Sequence, residues 1–118
     1  MIHISVHLYI FINIIEMKRP LLPSQERTMI ALGENIKLAR LRRDLSTMQV
    51  SERAGISRGT LVKIEKGDEG VAIGYYFRVL AILRLEKDLL LVAQDDQLGR
   101  ALQDAKLVVK KRASKKRK

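Results

Sequence analysis

The sequence predicts an all-α fold, and three observations carry that reading. Between residues 33 and 93, apolar residues recur mainly at three- and four-residue spacing, the repeat of helices that bury one side. Serines and glycines fall where short helices would start and stop. The chain has 118 residues, enough for one such domain with a tail left over.

Residues 1–16 form an apolar leader that departs from this pattern. Ile2, Ile4, Val6, Leu8, Ile10, Ile12 and Ile14 hold every even position, an alternation that predicts a strand. The run is too short to span a bilayer, and its basic residues, Lys18 and Arg19, follow it, whereas a secretory signal places them first. Met17 and Met29 offer alternative starts, in which case the leader is a mis-annotated upstream stretch. Pro20 and Pro23 mark residues 17–32 as a linker.

Five helices are then expected over residues 33–93. In "LGENIKLARLRRDL", Ile36, Leu38, Leu41 and Leu45 are the candidate core positions. "STMQVSERAG" offers Ser46 or Thr47 as its N-cap and Gly55 as its stop. "ISRGTLVKIEKG" offers Ser57 as its cap and Gly67 as its terminator, with Leu61 and Ile64 facing inward. Two short helices joined through a glycine turn make a helix-turn-helix candidate. "VAIGYYFRVLAILRL" is apolar almost all round: Ile73, Tyr76, Leu80 and Leu83 can face the core, leaving Tyr75, Phe77, Val79 and Ile82 over. A surface helix normally keeps one apolar stripe, so these four residues are read as a homodimer interface. "EKDLLLVA" has helical length, and residues 94–109 form a possible sixth helix along Leu98, Ala101, Leu102, Ala105 and Val109. Residues 110–118 hold seven Lys/Arg and are read as a disordered basic arm.

Net charge is +10, and residues 93–118 supply most of it, with nine Lys/Arg against three acids. A modestly basic domain with a strongly basic tail points to a polyanion, most often nucleic acid. With no Cys, neither a disulfide framework nor a thiolate metal site is possible, and the composition fits a cytoplasmic protein. His3 and His7 are the only histidines, and both lie in the leader. No metal, cofactor or membrane association is expected. With no phosphate-cradling glycine loop or paired-carboxylate site, no enzymatic role is expected either.

The stretch "LSTMQVSERAGISRGTLVKIEKG" resembles the helix-turn-helix of the Xre, or phage-repressor-like, DNA-binding family. Leu45, the Gly55-Ile56-Ser57 turn, Leu61, Ile64, Glu65 and Gly67 stand at the family spacing, and the likeness covers about residues 33–92. It implies a five-helix domain that binds double-stranded operator DNA. "ERAGISRGTLVKIEKGDEGVAIG" and "DDQLGRALQD" look most like HipB-type antitoxins, regulators encoded beside HipA-type toxin kinases. The first reading is therefore a dimeric, nucleoid-associated autorepressor in a toxin–antitoxin operon. The alternatives are a Xre-type repressor without a toxin partner, or an antitoxin acting mainly through protein–protein binding.

The opening turn of a helix inserted into the major groove presents short side chains to base edges. Ser57 can cap the helix and donate to a phosphate, Arg58 can grip guanine bidentately, and Thr60 falls near base edges. Lys63 reaches bases or phosphate, and Lys66 a phosphate beyond the helix end. By the resemblance, Ser57, Arg58, Gly59, Thr60 and Lys63 occupy positions that meet DNA, although Gly59 has no side chain to read a base. Thr47 stands where the family usually has a phosphate-binding Gln, and Ser51 where it has Ala. Arg84 replaces a common Gly and would cost about 1 kcal/mol if left-handed. Arg40 and Glu65 match a pair that forms an internal salt bridge in the phage repressors.

Overall fold

A computed structural model describes residues 5–8, 10 and 19–116. It divides into two compact units, Met1–Leu83 and Arg84–Lys118. The first unit holds α1 (Pro23–Arg42), α2 (Thr47–Ala54), α3 (Arg58–Glu65) and α4 (Ile73–Ile82). The second holds a 3-10 helix (Glu86–Leu91) and α5 (Gln97–Lys116).

Helix α1 starts well before residue 33, so residues 23–32 of the expected linker are helical. Pro23 is the first helical residue, where its fixed φ suits the helix and its missing N–H costs nothing. Gln25 completes the start by accepting the Leu22 amide on Oε1 at 3.1 Å. Pro23 therefore opens a helix instead of marking a linker. The buried stripe of α1 is Gly33, Ile36, Ala39 and Arg40. Leu38 and Leu41, expected inside, are exposed. The reason is how closely α1 approaches the end of α3. A Cβ on Gly33 would stand 2.5 Å from the Gly67 amide nitrogen and 2.7 Å from the Ile64 and Glu65 carbonyls. One on Gly67 would strike the Met29 carbonyl. With two glycines at the crossing, the inward face of α1 is the one carrying small residues and the Arg40 stem.

The short helices are punctuated as their sequence predicts. Ser46 Oγ accepts from the Gln49 amide at 3.0 Å while Gln49 Oε1 accepts from the Ser46 amide at 2.9 Å. This reciprocal box fixes the start of α2 at Ser46 rather than Thr47. Gly55 ends α2 at φ 70°, a left-handed turn that glycine adopts without a Cβ penalty. Ser51 is buried and donates its hydroxyl to the Met48 carbonyl at 3.1 Å, so the polar side chain is satisfied within its own helix.

The core gathers Ile36, Val50, Ala54, Leu61 and Ile64 with Tyr76, Val79, Leu80 and Leu83. Val79, read from the sequence as a dimer residue, is fully buried, whereas Ile73, read as core, is 74% exposed. Tyr76, Val79, Leu80 and Leu83 lie at the three- and four-residue spacings that share one helix face, which places Val79 inside and leaves Ile73 on the opening turn of α4. Tyr76 also donates its hydroxyl to the Asp68 carbonyl at 2.6 Å, tying the loop after α3 to α4. Burial, with Asp68 nearby, raises the Tyr76 pKa above its ordinary value.

Arg84 is left-handed at φ 63°, as expected if it replaces a glycine. The expected fifth helix over residues 86–93 is a 3-10 segment, with Asp88 and Val92 amides donating three residues back to Leu85 and Leu89. The expected disordered arm is helical through Lys116. Lys, Arg and Ala are good helix formers, and positive charge is favoured at a helix C-terminus. Within the leader, Val6, His7, Leu8 and Ile10 are helical, and the other strand positions lie outside the described residues. A lone strand leaves its backbone groups unpaired, whereas a helical turn bonds them locally, here with the Leu8 amide on Ser5 Oγ at 3.1 Å. No helix among the described residues is long and apolar enough to cross a membrane.

Candidate nucleic-acid interface

Helix α3 is short because its first and last residues are both dictated locally. Ser57 Oγ accepts from the Thr60 amide at 3.0 Å at one end, and Gly67 turns left-handed at φ 76° beyond the other. Leu61 and Ile64 are fully buried and fix the rotation of the helix. That rotation sends Ser57, Arg58, Gly59, Lys63 and Lys66 to the surface, with Thr60 partly exposed. The sequence therefore placed this turn correctly outside the core.

The Ser57 and Thr60 hydroxyls lie 2.9 Å apart and share one hydrogen bond. Two hydroxyls carry two protons and one is used between them, so one remains to donate to an outside acceptor. Gly59 has room for a side chain, since a Cβ there would make only an ordinary contact with Ser57 Oγ at 3.9 Å. Backbone can therefore approach a ligand closely at this point.

Arg40 and Glu65 meet as the family resemblance implies. Arg40 Nε donates to Glu65 Oε2 at 2.8 Å and its Nη2 to Oε1 at 3.0 Å, a two-pronged pair with both side chains only 8% exposed. Nη1 donates to the Leu45 carbonyl at 2.9 Å. The hydrogen bonds to Glu65 raise the Arg40 pKa further, against the opposing effect of burial. The bridge ties α1 to the last residue of α3 and to the turn before α2. It also neutralises the one carboxylate on α3, leaving Arg58, Lys63 and Lys66 to set the sign of its exposed face.

Val62 and Lys37 join the site beyond the residues expected from the sequence. Val62 is 42% exposed on α3, four residues after Arg58 and four before Lys66. It offers an apolar contact of the kind a thymine methyl makes. Lys37 of α1 lines an open groove of about 500 Å³ with Thr47, Val62 and Lys66. The groove brings Thr47, at the start of α2, to the same surface as the outward side of α3. The signal for Val62 was its i+4 spacing between two basic residues. Nothing local marked Lys37, since only the packing of α1 on α3 brings it there.

Two short helices crossing through a tight turn, the second with an exposed, basic and small-residue opening turn, define a helix-turn-helix DNA-binding domain. The family model for the helix-turn-helix domain matches residues 31–91, and the chain belongs to that family. No curated protein shows a significant match to the chain.

Proposed function

We propose that this protein is a sequence-specific transcriptional regulator with no enzymatic role, reading an operator through the opening turn of α3. The observation that carries this reading is the outward, capped Ser57–Thr60 turn, with Leu61 and Ile64 anchored in the core behind it. Arg58 supplies a bidentate donor for guanine, Val62 and Thr60 flank it, and Lys63 enters bases or phosphate. Thr47, Lys37 and Lys66 hold the phosphate backbone around the groove they line.

The operator-bound form is a homodimer on a palindrome with half-sites about 10 bp apart. Tyr75, exposed, and Ile82, half-buried, lie two turns apart on one side of α4 and supply one pairing face, with Phe77 exposed on the opposite flank. The likeness of residues 52–74 and 95–104 to HipB-type antitoxins supports an autorepressor of a type II toxin–antitoxin operon with a HipA-like kinase as partner, acting in the cytoplasm at the nucleoid.

A gel-shift assay on the DNA immediately upstream of the gene tests the regulator reading. A discrete complex that survives excess unrelated DNA is expected, and equal competition by unrelated DNA contradicts sequence specificity. For the partner, co-purification with the product of an adjacent kinase-like frame is expected. A neighbourhood without such a frame contradicts it.

A further inference from the structure

Helix α5 presents an apolar seam that is exposed among the described residues. Leu98 is 71%, Leu102 57% and Val109 65% exposed. With Ala105 they follow a four-three-four spacing, the seam of a two-stranded coiled coil. We propose that α5 pairs antiparallel with α5 of a second copy of this chain.

Charge chooses the occupant and its direction. In the antiparallel register, Leu98 meets Val109 of the other copy and Leu102 meets Ala105. Beyond the seam, Asp95, in the bend just before α5, falls at the end where Arg112 of the second copy lies, and the same pairs recur at the other end by symmetry. A parallel arrangement would place Asp95 on Asp95 and Arg112 on Arg112, and would bring two stretches of residues 110–118 side by side. Each stretch carries seven Lys/Arg. Antiparallel pairing sets Lys110 of one copy opposite Gln97 of the other, so the two stretches begin about 20 Å apart at 1.5 Å per residue. That exceeds the screening length of about 8 Å in physiological salt. Within one chain Asp95 contacts Arg100, an exposed pair that water weakens and that is free to exchange for Arg112 of the partner copy.

The seam deepens the dimeric reading proposed above, on which it rests. It gives the two basic ends of a dimer opposite directions, so that they engage DNA at separated points.

The test uses the full chain and needs no DNA, so its failure is distinct from failure of operator reading. The chain has no cysteine, and an introduced one is its sole thiol. Leu102→Cys and Ala105→Cys proteins are mixed and oxidised. Antiparallel pairing gives mainly the mixed 102–105 disulfide. Like-with-like disulfides, or a chain that sediments without forming the mixed product, overturn the proposal. Asp95→Arg and Arg112→Asp should each lower the yield of a 102–105 disulfide, and the double variant should restore it. Yields that ignore all three exchanges overturn the register. Both positions are exposed, and circular dichroism of each variant shows whether α5 remains helical.

Discussion

Arg40 and Glu65, 25 residues apart in sequence, close a two-pronged ion pair at 2.8 and 3.0 Å beneath the surface that α3 presents to solvent. The bridge joins the helix that carries the exposed basic residues to the helix on which it packs. Losing either partner would strand a buried charge, which costs about 3–5 kcal/mol. Glu65→Ala should therefore lower the melting temperature by about 10 °C or more, at roughly 4–8 °C per kcal/mol for a domain of this size. Operator affinity should fall with it. A melt superimposable on the parent would remove the structural role assigned to the pair.

Gly33 and Gly67 make a second, purely steric tie. Gly33→Ala pushes a methyl against backbone at 2.5–2.7 Å, and backbone cannot swing aside as a side chain can. A loss of about 1–3 kcal/mol is expected, the usual penalty for overpacking. Calorimetry measures it directly, and an unchanged unfolding transition contradicts the close crossing.

Gly59 should behave in the opposite way. It lies in the opening turn of α3 where a Cβ would meet only Ser57 Oγ at ordinary contact distance, so Gly59→Ala should stabilise the fold by up to about 1 kcal/mol. The added methyl stands on the surface assigned to base reading, so operator affinity or base preference should change while stability rises. A destabilised variant would show that the space is filled in solution.

The basic end of α5 should act on all DNA alike. Deleting residues 110–118 should weaken operator and unrelated DNA together. The slope of log K against log salt should become shallower by about 0.9 for each phosphate the chain no longer neutralises. Fluorescence anisotropy at several salt concentrations gives that slope. An unchanged slope means the segment serves another partner.

What was legible in the sequence was what depends on near neighbours. Ser46, Ser57, Gly55 and Gly67 punctuate their helices through bonds spanning only a few residues, so their types and spacing sufficed. Leu61 and Ile64 identified the inner side of α3, and hence its outer side, for the same reason. The Arg40–Glu65 pair came from the family likeness rather than from spacing. Features set by how helices cross were hidden. Leu38 and Leu41 read as core, yet the Gly33–Gly67 approach turns another face of α1 inward. In α4, apolar almost all round, spacing could not separate Val79 in the core from Tyr75 and Phe77 outside it. Pro23 showed the reverse ambiguity, since a residue that breaks helices in their middle also starts them well. Lys37 became part of the site only through tertiary packing.

The decisive measurement compares the parent with Arg58→Ala for binding to the upstream DNA and to a scrambled duplex at one salt concentration. Loss of a bidentate guanine contact should weaken operator binding by about 1–3 kcal/mol, roughly 5- to 150-fold, while changing scrambled-DNA binding little. A folded Arg58→Ala protein that holds the operator as tightly as the parent would show that the opening turn of α3 does not read DNA.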